Sequence, residues 1–506
     1  MPRQPDADRL FHMVIHADKT FDSHFPVTNE VLASYPIFTD SQVQEAVSAA
    51  REASLLWQGL GFDGRRKVLL SWSKILIDRI DECAQLISRE TGKPISDAKL
   101  EATLAIGHLA WAARNAREVM RKQYRKPGLL MANMSATVER SPVGVVGVIG
   151  PWNYPIFTPM GSISYALAAG NTVVFKPSEY TPGVGVWLAN TFAEVSPSHD
   201  VFRVVTGLGD TGRALCESGV NKLAFTGSTK TAKVVAATCA KTMTPVVLEC
   251  GGKDPVIIAA DANVAKAAEF TLWSAMSNAG QTCIGAERVY VHEKVADKFI
   301  ETIVDMGKNI QPGAPGVGNY GPATMPKQLD IIDAHIRDAI ARGGQALLGG
   351  IDSVKRPFVD PVILVNVPED SIAMQEETFG PTIIINRVSD MAEAISLSNA
   401  SRYGLGASVW SKSQGPKIAS QLECGMVAIN STISFAAVAS VPFGGVKDSG
   451  YGRIHGPEGL LEFTYPRTVV RARFQIPISF TSFGRNAFAD RLIVGLVKFL
   501  HGKSIG

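Results

Sequence analysis

Val143-Gly144-Val145-Val146-Gly147-Val148-Ile149-Gly150-Pro151-Trp152-Asn153-Tyr154-Pro155 is an apolar β-branched run that stops at a glycine and gives way to one amide set among aromatics and prolines. Such a run, bounded by Pro142 and Gly150, reads as a strand buried on both faces. Similar runs recur at 172–175, 202–205, 222–225 and 246–248, separated by helical stretches. That rhythm means a parallel sheet covered by helices. A second β/α series follows at 256–258, 288–291, 361–365, 382–386, 407–410 and 426–429, and reads as a second α/β domain that begins near Gly251-Gly252. Upstream, apolar residues at helical spacing over 40–57, 64–90 and 96–122 predict amphipathic helices. Residues 123–140 lose the pattern and read as an extended excursion.

At 506 residues the chain exceeds what one core organises, and 46% hydrophobic with 19% charged residues fits a folded enzyme-sized protein. Fifty Lys+Arg against 47 Asp+Glu leave +3, which gives no nucleic-acid footprint. The cysteines Cys83, Cys216, Cys239, Cys250, Cys283 and Cys424 are scattered without a C-x-x-C pair, so neither a disulfide framework nor a metal site is signalled. Residues 1–10 carry Arg3, Asp6, Asp8 and Arg9 and no apolar h-region, so a cytoplasmic location is expected.

Several short stretches carry chemistry. Asn153 can donate a side-chain N–H to a developing oxyanion, or bond its own turn. Lys176-Pro177-Ser178-Glu179 closes a strand, where open α/β sheets bind ligands; a plain surface ion pair is the alternative. Gly207-Leu208-Gly209-Asp210-Thr211-Gly212 matches the dinucleotide fingerprint, yet no Asp or Glu lies between Glu217 and Glu249, so a structural turn is favoured. Phe225-Thr226-Gly227-Ser228-Thr229 opens a helix whose N-terminus suits a pyrophosphate or carries an ordinary cap. Leu248-Glu249-Cys250-Gly251-Gly252-Lys253 places a carboxylate at the end of an apolar strand, fit for a general base. Ser277-Asn278-Ala279-Gly280-Gln281-Thr282-Cys283 ends in a candidate nucleophile; alone, a cysteine there is more often a small buried hydrophobe.

Taken together, Asn153, the Lys176 to Glu179 turn, Gly227-Ser228, Glu249 and Cys283 resemble the aldehyde dehydrogenase superfamily in order and spacing. Glu90-Thr91-Gly92-Lys93-Pro94, Glu376-Glu377-Thr378-Phe379-Gly380-Pro381 and Pro442-Phe443-Gly444-Gly445-Val446-Lys447-Asp448-Ser449-Gly450 extend the likeness. The resemblance implies an α/β fold with a Rossmann-type cofactor domain (1–122 and 142–250), an α/β catalytic domain (251–464), a small β oligomerisation excursion (123–141 and 465–480) and an apolar tail (481–506). It implies a non-acylating NAD(P)-dependent enzyme with Cys283 as nucleophile, Asn153 as oxyanion donor and Glu249 as base. Lys176, Ser178 and Glu179 would hold the adenosine ribose, Gly227 and Ser228 the pyrophosphate, and Glu377 and Phe379 the nicotinamide side. Pro151, Trp152, Phe225 and Gly251 would complete that site. A carboxylate at 179 favours NAD over NADP.

Tyr154, Phe157, Thr282, Ile284, Phe435 and Phe443 are expected to line the substrate tunnel, which suits an uncharged aliphatic or aromatic aldehyde. Succinate semialdehyde and a CoA-acylating reaction are the alternatives, with a non-catalytic scaffold the least favoured. Cys250, where leucine is usual, predicts an oxidative bond to Cys283. The expected assembly is a homodimer or homotetramer. The segment 487–500 is apolar with Arg491 and Lys498; it is too short to span a bilayer, and docking on the body or on a neighbouring subunit is favoured over peripheral membrane contact.

Overall fold

The computed structural model describes residues 19–475 and 482–502; the readings made for residues 1–10 and 476–481 lie outside them. A six-stranded sheet runs Gly450–Tyr451, Val246–Glu249, Lys222–Thr226, Val145–Ile149, Thr172–Lys176, Phe202–Val204 in space. All its pairings are parallel except that of Gly450–Tyr451. The connection order reverses at Val145–Ile149, so a crevice opens at the carboxyl ends of the strands beside it. Val143 and Gly144 precede the ladder. Asn221 accepts from the Val145 N–H at 2.9 Å, and a Cβ at Gly144 (φ +125°) would stand 2.6 Å from that same oxygen.

The second sheet has seven strands, in the order Gln345–Leu348, Val362–Val365, Thr382–Val388, Arg288–His292, Pro255–Ile258, Gly406–Trp410, Met426–Ile429. Only the edge strand Gln345–Leu348 is antiparallel. From the 251–464 segment, Gly450–Tyr451 crosses back to the first sheet, and Leu460 of helix Gly456–Glu462 joins the first core together with Phe463.

The helical stretch expected over 64–90 is two helices, Gly61–Asp78 and Ile80–Thr91, broken at Arg79 (φ −112°, ψ 26°). Across the break the Arg79 N–H still reaches Ile75 O at 3.0 Å and the Arg79 carbonyl accepts from Cys83 N at 3.1 Å. The excursion is a three-stranded antiparallel sheet of Gln123–Arg125, Met134–Pro142 and Thr464–Ala472, paired from Thr464 opposite Pro142 to Ala472 opposite Met134. A hairpin of Thr20–Phe25 and Glu30–Pro36, not expected from the sequence, packs near helix Ile80–Thr91; Ser23 donates to Glu90 at 3.1 Å. Helix Ala487–His501 closes the described chain.

Candidate active site

Helix Val264–Met276 ends beside Ser277, and the chain then turns through Ser277–Gly280 with Asn278, Ala279 and Gly280 all at positive φ (53°, 56° and 69°). Successive left-handed residues are strained outside glycine, so the surroundings must hold them. They do. Gln281 donates to Asn278 O (2.8 Å) and Pro322 O (3.2 Å) and accepts from Thr324 N (2.9 Å). A Cβ at Gly280 would lie 2.0 Å from Gly380 O, so only glycine fits that turn. Cys283 emerges half-buried at the wall of a cavity. Burial raises its thiol above the ordinary range, the Glu377, Asp254 and Glu249 carboxyls add to this, and the Ile284 N–H opposes it. In the free protein the nucleophile therefore stays protonated until a base or substrate draws the proton away.

Asn153 is buried and fixed at both ends. Its side-chain amide donates to Gln281 O at 2.9 Å, while its carbonyl accepts from Lys93 Nζ (2.7 Å) and Asn278 Nδ2 (3.1 Å). One of the two amide hydrogens is thereby committed to the Cys283 loop, and the other is left for a ligand oxygen. Lys93 also pairs with Glu101, whose second oxygen accepts from the Ile156 and Phe157 N–H groups. Lys93 stands within the motif Glu90 to Pro94, and Glu101 carries no sequence signal at all.

Glu249 ends strand Val246–Glu249 and is 3% exposed, and neither carboxylate oxygen has a partner among the described residues. Burial raises its pKa well above the ordinary carboxylate value; Arg453 opposes this and Glu462 adds to it. A Cβ at Gly444 (φ +154°) would approach Glu249 Oε1 to 2.9 Å. Open space beside an unpaired carboxylate is what a water-activating base needs.

Around the first crevice, Ser228 caps helix Thr229–Ala240 through Thr231 N (3.3 Å), and the backbone there has no room for more than hydrogen at Gly227, where a Cβ would be 2.7 Å from the Phe225 ring. Lys176 is buried, with Pro177 O at 2.8 Å; burial lowers its pKa and Glu179 opposes the shift. Ser178 donates to Glu179 at 3.4 Å. Trp152 and Phe379 meet edge to face at 5.6 Å, next to Pro151 in the chain. Glu377 accepts from Gly252 N at 3.1 Å, and a Cβ at Gly251 would overlap its carboxylate at 2.1 Å. Burial, with Glu287 next in effect, raises Glu377 to about 8. Glu287 in turn takes the Thr378 and Phe379 N–H groups (2.9 and 3.0 Å) and pairs with Lys253. These donors and acceptors fit a nicotinamide dinucleotide: a buried cation and carboxylate for ribose hydroxyls, a helix N-terminus for phosphate, and an aromatic edge for the ring. The Gly207 to Gly212 turn is filled by its own residues, since a Cβ at Gly207 would lie 2.1 Å from the Thr211 hydroxyl, which donates to Phe38 O.

The cavity at Cys283 has a volume of about 100 Å³. Tyr154, Phe157, Thr282, Ile284 and Phe443 line it, and Tyr154 OH meets Thr282 Oγ1 at 2.8 Å. Phe435, expected in the lining, lies behind it. Ile433 takes a left-handed turn (φ 46°) into the short helix Ser434–Ala437, which turns Ile433 and Ala436 inward while the Phe435 ring faces Gly406. Leu100, Trp273 and His455 complete walls that sequence reasoning missed. They come from elements far apart in the chain and share no motif.

Residues 14–469 match the model of the aldehyde dehydrogenase family. The chain belongs to the aldehyde dehydrogenase family. A 4,4'-diapolycopene aldehyde oxidase of a Methylomonas species is 35% identical over 94% of this chain and 91% of its own length. The NADP-dependent succinate-semialdehyde dehydrogenase of Escherichia coli is 35% identical over 87% of this chain and 92% of its own. A solved NAD-dependent aldehyde dehydrogenase from Sinorhizobium meliloti superposes with a TM-score of 0.87 at 31% identity, covering 92% of this chain and 94% of that one. This aldehyde dehydrogenase is thus an oxidoreductase acting on aldehydes, with a Rossmann-like nicotinamide-binding fold.

Proposed function

We propose that this aldehyde dehydrogenase oxidises an uncharged, apolar aldehyde to its carboxylic acid with NAD. The lining of the cavity carries the substrate reading. Its walls are Leu100, Leu104, Phe157, Ile284, Ile433 and Phe443, and its one ammonium, Lys93, is already held by Glu101. The remaining acids of the wall, Asp97 and Glu249, offer no positive charge to pair with the second carboxylate of a dicarboxylic semialdehyde. The Methylomonas relative, whose name gives 4,4'-diapolycopene aldehyde and no acid semialdehyde, points the same way. The Escherichia coli relative keeps succinate semialdehyde as the second reading.

In this reading Cys283 attacks the aldehyde carbon, and the free Asn153 N–H with the Cys283 main-chain N–H holds the oxyanion of the thiohemiacetal. A bound nicotinamide supplies the hydride acceptor. Glu249 then takes a proton from water as that water attacks the Cys283 thioester, and the acid leaves. Glu249 has no place in transfer of the acyl group to CoA, so hydrolysis is favoured. Glu179 beside Ser178 favours free ribose hydroxyls, hence NAD. The sheet of Gln123–Arg125, Met134–Pro142 and Thr464–Ala472, whose outer strand is exposed from Tyr465 to Ala472, is read as the oligomerisation element of a dimer or tetramer. Steady-state kcat/KM for hexanal, benzaldehyde and succinate semialdehyde tests the substrate class; a highest value for the semialdehyde overturns it. A Cys283→Ala variant that still produced NADH would overturn the mechanism.

A further inference from the structure

Helix Ala487–His501 starts at Asn486, whose side chain accepts from Ala489 N at 3.0 Å. At 3.6 residues per turn, Phe488, Ala489, Leu492, Ile493, Leu496, Phe499 and Leu500 fall on one side and Asp490, Arg491, Lys498 and His501 on the other. The protein body covers little of the apolar side. Ala489 is buried and Ile493 and Leu496 are half-buried, but Phe488 is 62% exposed, Phe499 76% and Leu492 40%. Among the described residues the expected docking of this face on the body reaches only Ala489, Ile493 and Leu496. No described helix is long and apolar enough to cross a membrane, and this one rises only about 22 Å.

Charge decides the occupant. Over the whole chain basic and acidic residues nearly balance, yet residues 473–506 hold Arg473, Arg485, Arg491, Lys498 and Lys503 against the single acid Asp490. That one carboxylate is itself paired with Arg485 at 2.6 Å. We propose that helix Ala487–His501 lies in the plane of an anionic lipid surface, its Phe488, Leu492 and Phe499 face in the acyl boundary and its Arg491 and Lys498 among the headgroups. A second copy of the same helix is the weaker occupant, because it would bring two cationic rims together. Combined with the apolar-aldehyde reading, on which this clause alone rests, the tail holds the enzyme where such aldehydes partition.

Flotation of the full chain with vesicles of phosphatidylglycerol and phosphatidylcholine in equal parts tests this. The unaltered chain floats with them, and less so as salt rises. The F488E/L492E/F499E variant loses more than about tenfold in partitioning, since each side chain withdraws a buried hydrophobe from the boundary. The R491E/K498E variant loses the preference over pure phosphatidylcholine vesicles. Both variants keep lipid-free hexanal turnover, so a wrong substrate reading appears as poor hexanal oxidation by the unaltered chain and leaves flotation untouched. The proposal fails if the unaltered chain does not float, or if the triple variant floats equally well. It also fails if the triple variant instead elutes as a smaller assembly while the unaltered chain ignores lipid, which identifies a second copy as the occupant.

Discussion

Lys93 and Glu101 form an ion pair at 2.7 Å in which neither side chain is more than 1% exposed, and the same ammonium holds the Asn153 carbonyl at 2.7 Å. A buried pair of this kind is a positioning device whose loss leaves an uncompensated charge. Lys93→Met is expected to destabilise the fold by about 3–5 kcal/mol, the usual result of breaking such a pair. The K93M/E101Q double variant regains much of that, because glutamine keeps an oxygen for the Ile156 and Phe157 N–H groups. Neither regains full kcat, since Asn153 has lost its anchor. Thermal melting and kcat measured side by side check this: a double variant restored in both Tm and kcat would reduce the pair to a structural role.

Carboxyl burial makes the enzyme less stable as pH rises. Glu90 is raised to about 7 and Glu377 to about 8 from an ordinary 4.5, burial being the largest cause for each, and Glu249 is also raised. Between 4.5 and about 8 the folded chain holds protons that the unfolded chain has released, so stability is greatest below the unfolded value and is lost as pH climbs through this window. Tm should fall across that range, and Glu249→Gln should flatten part of the fall.

The same substitution separates the two halves of the reaction. With glutamine at 249 the thioester still forms but no base activates water, so NADH should appear in a burst of one equivalent per Cys283. Steady-state turnover should then be slower by about 10²–10⁴-fold, the ordinary worth of a general base. Stopped-flow absorbance resolves this; a variant with no burst and equally slow acylation would remove Glu249 from the hydrolytic step.

Much of this architecture was legible in the chain. Strands such as Val145–Ile149 and Thr172–Lys176 are buried on both faces and therefore read as continuous β-branched runs. Gln345–Leu348, mostly exposed at a sheet edge, and the hairpin Thr20–Pro36 have no such run and went unseen. The break at Arg79 was hidden because apolar spacing continues across it. Asn153, Glu249 and Cys283 stood out through motifs at strand ends and turns. Glu101, Leu100 and His455 reach the cavity from helix Ile95–Val119 and from a turn near the carboxyl end, which only tertiary packing brings together.

Gly251 marks where Glu377 must sit. A Cβ there would fall 2.1 Å from Glu377 Oε2, the far end of a flexible side chain that can swing away. Gly251→Ala should leave Tm nearly unchanged and raise KM for NAD by about tenfold, the equivalent of one lost hydrogen bond to a charged group. Glu377→Gln should raise it in the same direction. An unaltered cofactor KM in Gly251→Ala would mean that Glu377 does not hold the ribose.

Cys250 shares the cavity wall with Cys283, though burial pushes its thiol up to about 12 and Glu249 adds to the shift. Peroxide converts the Cys283 thiol to a sulfenic acid with loss of water, and attack by the Cys250 sulfur expels a second water to leave a disulfide. Because both thiols are held protonated, inactivation should be slow at neutral pH and faster as pH rises. The disulfide, unlike higher oxides of Cys283, returns to active thiol with dithiothreitol. Cys250→Ser removes the resolving sulfur, so peroxide should still oxidise Cys283 at about the same rate, but the loss should pass to higher oxides and resist reduction. If Cys250→Ser recovers as fully as the unaltered enzyme, the two sulfurs do not meet, and the cysteine at this position answers to packing alone.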